Sequence, residues 1–175
     1  MKGAVEVAID AARAAGRIQR ERSRDIGQID YKESRADPVT EVDLLCEREI
    51  IRRIKEKFPD HDILAEESGT REGGASPSRW LIDPLDGTLN YAHGYPCYCA
   101  SVALEHEGEV IVGVVYNPCL DELFVAEKGK GATLNSETLS VSTVSSLQNS
   151  FLVTGFAPTL REALNLNLIH FSNFM

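Results

Sequence analysis

The sequence predicts an α+β fold in which two amino-terminal helices pack against an antiparallel sheet. Two segments near the start repeat apolar residues every three or four positions, which is typical of amphipathic helices. The middle of the chain instead contains short β-rich runs separated by turn residues, the pattern of an antiparallel meander. With 175 residues, 43% of them hydrophobic and 26% charged, the chain is long enough for one core and has the composition of an ordinary globular protein.

The first helix is predicted to begin at Ala4, because apolar residues from Ala4 to Ile18 form one stripe with Arg13, Arg17 and Arg20 outside it, and Gly27 breaks the pattern. The second helix is predicted to begin near Thr40. Thr40 and Asp43 have the spacing of a capping box, in which each residue hydrogen-bonds the other's backbone. Pro59 is expected to end this helix, because proline cannot continue the helical hydrogen bonding.

The remaining elements are expected to be mainly strands. They are residues 29–31, 63–65, 80–82, 101–106, 110–116, 122–126 and 151–154. The strand at 80–82 should stop at Asp83-Pro84, because proline cannot donate to a sheet ladder and restricts the residue before it. Residues 69–78 are rich in glycine, serine and proline, so a mobile loop is expected there, and residues 160–175 regain helical spacing.

Composition also limits the partners. The formal net charge of -9 argues against a nucleic-acid partner, which normally meets a basic surface. No apolar run approaches the ~20 residues of a membrane span, so no membrane partner is expected and a cytoplasmic location fits best. The four cysteines lack a zinc-site spacing and are expected to be buried or half-buried free thiols.

Three pairs of acidic residues lie at the ends of predicted elements. They are Asp37 with Asp43, Glu66 with Glu67, and Asp83 with Asp86. Carboxylate oxygens are hard ligands that suit magnesium, manganese or calcium better than zinc or copper. Each pair alone is more simply interpreted as solvated surface charge.

The segment from Asp83 to Thr88 is more specific than an acidic pair. It combines a strand end, an enforced turn and Gly87, which allows the backbone to approach a ligand. Asp83, Asp86 and the Leu85 carbonyl are expected to converge on a cation, and a helix start after Gly87 would direct N–H groups at a phosphate. The alternative is a turn with capping acids before a helix.

This segment carries a resemblance to a known family. The string Trp80-x-Ile82-Asp83-Pro84-Leu85-Asp86-Gly87-Thr88-x-Asn90-Tyr91 resembles the first signature of the inositol monophosphatase family. That family also includes fructose-1,6-bisphosphatases, NADP phosphatases and adenosine bisphosphate phosphatases. Residues 37–43 and 66–68 resemble two further motifs of the family in the same order, and similar stretches at 113–118 and 128–132 extend the resemblance over essentially the whole chain.

The resemblance implies a site for two magnesium ions. Its ligands would be Glu66, Asp83, Asp86 and the carbonyl of Leu85, with Asp83 bridging both ions. Lys32 matches a family lysine near the metal site, and a solvent-facing lysine at a strand end is an equal alternative.

The resemblance also implies the remaining roles in the site. Asp43 and Thr88 would orient and help to deprotonate an attacking water, with Glu67 nearby, and no covalent phosphoenzyme would form. The phosphate of the substrate would be bound by the segment Leu85, Asp86, Gly87 and Thr88.

The implied reaction is magnesium-dependent hydrolysis of a small phosphorylated polyol or sugar, with inositol monophosphate the leading substrate. The alternative substrates are fructose 1,6-bisphosphate, NADP and adenosine bisphosphate. Lithium sensitivity and a homodimer are further implications of the resemblance. An alternative of another class is a catalytically silent metal-binding or interaction fragment, whereas a nucleotide-binding module lacks its expected glycine-rich motifs.

The resemblance divides the chain into two parts. Residues 1–155 are expected to form a metal-binding α+β subdomain, and residues 156–175 a helix leading to a second α/β subdomain absent from this chain. Together the subdomains would form the layered sandwich of inositol monophosphatases and fructose-1,6-bisphosphatases. The second family signature, which resembles Trp-Asp-x-Ala-Ala-Gly and supplies another metal-binding aspartate, has no match here, so the chain is expected to lack one carboxylate of the complete active site.

Overall fold

Four α-helices and ten β-strands lie in the part of the chain that the structure, a computed structural model, describes: residues 3–25, 27, 29–31, 38–71, 76–154 and 163–174. The helices are α1 (Ala4–Arg22), α2 (Glu41–Lys57), α3 (Thr88–Ala92) and α4 (Ala163–Phe174). The strands are β1 (Ile29–Tyr31), β2 (Pro38–Thr40), β3 (Asp62–Ala65), β4 (Gly69–Arg71), β5 (Ser78–Asp86), β6 (Cys99–His106), β7 (Glu109–Asn117), β8 (Glu122–Glu127), β9 (Gly131–Leu134) and β10 (Glu137–Thr138).

The main sheet has eight strands in the order β10-β9-β8-β7-β6-β5-β3-β4, and β1 pairs with β2 separately. The α+β prediction is confirmed. The sheet is mixed rather than wholly antiparallel, because β3 and β5 run parallel, with Ala65 opposite Ile82. Their carboxyl ends therefore lie at the same edge of the sheet.

Helices α1 and α2 contact each other and cover one face of the sheet over β5, β6 and β7. Small residues make the approach of α1 close. At Gly16 an added Cβ would lie 2.5 Å from ring atoms of Tyr116. From α2, Ile50 and Ile54 are fully buried, and Trp80 on β5 is also fully buried. The predicted amphipathic helices thus supply one side of the core.

A groove of about 440 Å³ lies on the sheet beside the ends of β3 and β5. Leu64, Leu81 and Ala103 contribute apolar walls, and Glu66 and Asp83 also line it. Leu64 and Leu81 alternate with buried residues of their strands, which places them on the face opposite the helices. The carboxylates therefore border an apolar surface.

The predicted end of the strand at Asp83-Pro84 was wrong, because β5 continues to Asp86. The pairing of β5 with β6 shifts register between Asp83 and Asp86, so the missing N–H of Pro84 falls at an irregularity of the ladder. The carbonyl of Pro84 accepts a hydrogen bond of 2.8 Å from the Nε2 of Gln19 on α1. A helix side chain thus replaces sheet pairing at this point.

Two other local predictions were also wrong in part. The expected loop at 69–78 begins with the edge strand β4, which pairs with β3, and residues 72–75 lie outside the described residues. The expected strand at 151–154 does not form; Phe151 is 93% exposed and has no partner strand among the described residues. Helix α4 confirms helical structure within 160–175, of which residues 160–162 and 175 are outside the described part.

None of the described helices combines the length and the apolar character needed to cross a membrane. All four cysteines are free, as predicted. Cys46 is buried and Cys97 is exposed, so the expectation that every thiol is at least half-buried was wrong for Cys97.

Candidate metal and phosphate site

The ends of the parallel strands β3 and β5 bring two predicted ligands together. Glu66 directly follows β3, and its N–H donates to the carbonyl of Ile82 at 3.1 Å. Asp83 is the next residue on β5. The sheet therefore fixes the backbones of Glu66 and Asp83 side by side.

Two neighbouring carboxylates affect the titration of Asp83. Burial raises the pKa of Asp83, the nearby Glu66 and Asp86 carboxylates raise it further, and the resulting value is about 7. The N–H of Leu85 donates to Asp83 Oδ1 at 3.2 Å and acts in the opposite direction. A positive ion between these groups would relieve both the repulsion and the desolvation of Asp83.

The ligand atoms suit a magnesium ion that keeps several waters better than an ion that is enclosed by protein ligands alone. Within the described residues, no group of three or more His, Cys, Asp or Glu side chains is arranged to hold a metal ion. However, Glu66, Asp83, Asp86 and the Leu85 carbonyl all offer hard oxygen atoms, and Glu66 and Asp86 are exposed to solvent. Magnesium commonly keeps several waters and binds through only one or two carboxylates plus substrate phosphate.

Asp43 connects α2 to the segment that carries Asp83. It is 1% exposed, and its Oδ2 accepts the N–H and hydroxyl of Thr40 at 2.8 and 2.6 Å. The predicted capping box is confirmed. The hydroxyl of Thr88 lies 2.9 Å from Asp43 Oδ1 and 2.8 Å from the Leu85 carbonyl, so its single proton can serve either acceptor.

The buried carboxylate of Asp43 holds a proton more readily than a solvated carboxylate does. Burial raises the pKa of Asp43, and hydrogen bonds from Thr40 and Thr88 limit that rise. The Thr88 hydroxyl contacts Asp43 and the Leu85 carbonyl, and the N–H of Leu85 contacts Asp83. The predicted catalytic and metal-binding residues of this segment therefore form one connected unit.

Gly87 allows the turn between β5 and α3. Its φ of +89° lies in the left-handed region, and an added Cβ would come within 2.8 Å of the Cys97 carbonyl oxygen. Helix α3 begins at Thr88, as expected, and has five residues. The segment Leu85 to Thr88 thus has a backbone path that only glycine at position 87 accommodates without strain.

The turn after β3 is held by a residue that the sequence predictions missed. Glu47 on α2 is 2% exposed, and its Oε2 accepts the N–H groups of Glu67 and Ser68 at 2.9 and 3.3 Å. Gln19, which supports Pro84, was also missed. Both could have been found from the sequence, because each is a polar residue on the otherwise apolar stripe of its helix. Asp37 and Lys32 lie outside the described residues.

The sequence matches one protein family along almost its whole length. The sequence model of the inositol monophosphatase family matches residues 2–171. An inositol-1-monophosphatase from Synechocystis is 46% identical over 167 residues, which are 95% of this chain and 58% of that protein.

Solved structures agree with the match. The extragenic suppressor protein suhB from Bartonella henselae is 36% identical with a TM-score of 0.91, over 97% of this chain and 65% of that one. An IMPase/NADP phosphatase solved with Mg²⁺ and phosphate is 27% identical with a TM-score of 0.63, over 72% of this chain and 48% of that one. The chain spans about three fifths of the length of the curated relatives it matches. In sequence and in fold, this chain belongs to the inositol monophosphatase family.

Proposed function

We propose that this chain provides the magnesium- and phosphate-binding part of a phosphatase that acts on inositol monophosphate or a related sugar phosphate. The observation that carries the proposal is the connected unit described above, in which the mutually repelling Glu66, Asp83 and Asp86 lie beside the Asp43–Thr88 hydrogen bond. The family match and the relative solved with Mg²⁺ and phosphate support it.

In this proposal, Glu66, Asp83, Asp86 and the Leu85 carbonyl hold the magnesium. When bound, the metal supplies positive charge that stabilises the attacking and leaving oxygens of an in-line phosphoryl transfer. The raised pKa of Asp83 means that proton loss accompanies metal binding at neutral pH.

The other residues position the reactants. The Thr88 hydroxyl donates to Asp43 and offers its oxygen lone pairs to an attacking water. Asp43, with its raised pKa, accepts the proton that Thr88 passes on as the water attacks. Glu67 lies in the turn beside Glu66 and provides a second carboxylate near the water. The backbone from Leu85 through Asp86 and Gly87 to Thr88 contacts the phosphate.

We also propose the substrate, the oligomeric state and the cellular location. Inositol monophosphate is favoured by the name of the Synechocystis relative. NADP is an alternative because one structural relative is called an IMPase/NADP phosphatase. Fructose 1,6-bisphosphate and adenosine bisphosphate are alternatives from the family resemblance alone. Lithium sensitivity and a homodimer are proposed on the same basis, and a cytoplasmic location on the sequence pattern.

The test is phosphate release from inositol 1-phosphate, with and without magnesium, by the chain and by Asp83→Asn. Fructose 1,6-bisphosphate and NADP are assayed in parallel, and magnesium binding is measured by calorimetry. The expected result is magnesium-dependent release that falls by more than about 100-fold in Asp83→Asn, since loss of even an outer-shell group typically costs 10–100-fold.

The two readouts separate the possible outcomes. Magnesium binding that requires Asp83, without phosphate release from any substrate, would assign this chain the metal-binding role and contradict independent catalysis. A folded chain that neither binds magnesium nor releases phosphate would overturn the whole proposal.

A further inference from the structure

A buried carboxylate outside the proposed ligand set holds the turn that follows β3. Glu47 lies in the middle of α2 and is 2% exposed. Its Oε2 accepts hydrogen bonds from the backbone N–H groups of Glu67, at 2.9 Å, and of Ser68, at 3.3 Å. These two residues directly follow Glu66 in the turn between β3 and β4.

The buried position of Glu47 is unfavourable for a carboxylate that lacks hydrogen-bond partners. Cys46 and Ile50, its neighbours on the buried face of α2, are fully buried. A charge in such surroundings costs several kcal/mol unless it is paired or hydrogen-bonded. Two N–H donors to one carboxylate oxygen meet that requirement and are stronger than neutral hydrogen bonds. An apolar residue would satisfy the packing of α2 but could not accept these two hydrogen bonds from the turn.

The turn is held from two sides. The N–H of Glu66 donates to the Ile82 carbonyl on β5, and the next two N–H groups donate to Glu47 on α2. The first contact sets where the turn begins. The second sets its direction, and therefore where the Glu66 carboxylate stands relative to Asp83.

Helix α2 supports the other half of the site as well. Asp43 lies four residues before Glu47, so both carboxylates project from the same side of the helix. Asp43 accepts from Thr88, beyond the Asp83 segment, while Glu47 accepts from the Glu67 turn. One rigid helix therefore fixes the spacing between the two ligand-bearing segments.

We propose that Glu47 is a positioning residue for the magnesium site, acting through the backbone of the Glu67–Ser68 turn and not by contact with the metal. The inference rests on the proposed function, because it concerns the same site. If the inference is right, the length of the Glu47 side chain affects magnesium binding more than its charge does.

Two substitutions separate reach from charge. Glu47→Asp keeps the carboxylate and shortens the side chain by one methylene, about 1.5 Å, so its oxygen no longer reaches the turn. Glu47→Gln keeps the length and one carbonyl oxygen that can accept both N–H groups, but removes the charge. Both variants preserve polarity and nearly preserve volume, so both are expected to fold.

The measurement is magnesium affinity by calorimetry on the whole chain, together with amide hydrogen exchange of Glu67 and Ser68 without metal. Glu47→Asp should weaken magnesium binding about 10-fold, in the range typical of groups that orient metal ligands, and should speed exchange of both amides. Glu47→Gln should stay within about 3-fold of the wild type, a fraction of that effect. Ile54→Val is the control, because it destabilises the same helix at a fully buried position away from the turn. It should leave magnesium affinity unchanged.

Each result decides a different point. Equal affinity in the wild type and Glu47→Asp would overturn the inference, as would a loss in Glu47→Gln as large as that in Glu47→Asp. A comparable loss in Ile54→Val would assign Glu47 a purely structural role. If the wild-type chain binds no magnesium, the proposed function fails first and this inference falls with it.

Discussion

Thr88→Val tests whether the hydrogen bond between Thr88 and Asp43 holds the site together. The substitution keeps the shape of the side chain and removes the hydroxyl that lies 2.9 Å from Asp43 Oδ1 and 2.8 Å from the Leu85 carbonyl. Asp43 is 1% exposed, so water cannot readily replace the lost donor. The variant should therefore be less stable than the wild type.

The size of the effect follows from the remaining contacts of Asp43. A hydrogen bond to a charged group contributes about 1.5–3 kcal/mol to stability. Thr40 still donates twice to the same carboxylate, so the lower part of this range applies, about 1.5–2 kcal/mol. In a chain of this length, 1 kcal/mol corresponds to about 2–4 °C in Tm. The expected loss is therefore about 3–8 °C.

The assay is urea unfolding followed by the fluorescence of Trp80, the single tryptophan, which is fully buried. Thr88→Ser retains the hydroxyl and is the control, and a double-mutant cycle with Asp43→Asn isolates the pair. A coupling energy of about 1 kcal/mol or more is expected. The reasoning is refuted if Thr88→Val unfolds at the same urea concentration as Thr88→Ser with an unchanged m-value.

Two further predictions concern packing and thiol accessibility. Gly16→Ala places a methyl 2.5 Å from two ring atoms of the buried Tyr116, so it should cost about 1 kcal/mol after the gain in helix propensity. Gly113→Ala meets open space on β7 and should be neutral or slightly stabilising, and equal urea midpoints for the two variants would contradict this account. In thiol labelling followed by mass spectrometry, the exposed Cys97 should react at once. Cys46, which is fully buried and whose pKa is raised mainly by that burial, should react only on unfolding, and equal labelling rates for the two would contradict the structure.

Local sequence signals predicted the helices and both ends of α2, because caps and apolar stripes act over a few residues. The pairing of Thr40 with Asp43 at the start of α2 is such a signal, and so is the stop at Pro59. The structure also brings together the acids around Asp83 that the family motif singled out. The link from Asp43 to Thr88, separated by 45 positions, came from the resemblance alone.

The predictions failed where a distant partner decides the outcome. Pro84 does not end its strand, and its carbonyl accepts a hydrogen bond from the side-chain amide of Gln19, which is far away in sequence. Residues 151–154 have β-forming side chains but no neighbouring strand in the part of the chain that the structure describes, so intrinsic preference alone did not produce a strand. The role of Glu47 depends on N–H groups about twenty residues away, which the periodicity of α2 does not reveal.

The parallel pairing of β3 with β5 has a consequence for the order of folding. A tight hairpin cannot join parallel strands, so Glu66 and Asp83 meet only when β5 pairs beside β3, a contact between residues far apart in the chain. Closing such a non-local pair costs entropy before its contacts form. We expect a cation to bind between these carboxylates only once this pairing has formed. Magnesium should then slow unfolding and leave the refolding rate nearly unchanged. The ion would stabilise the folded state without accelerating its formation.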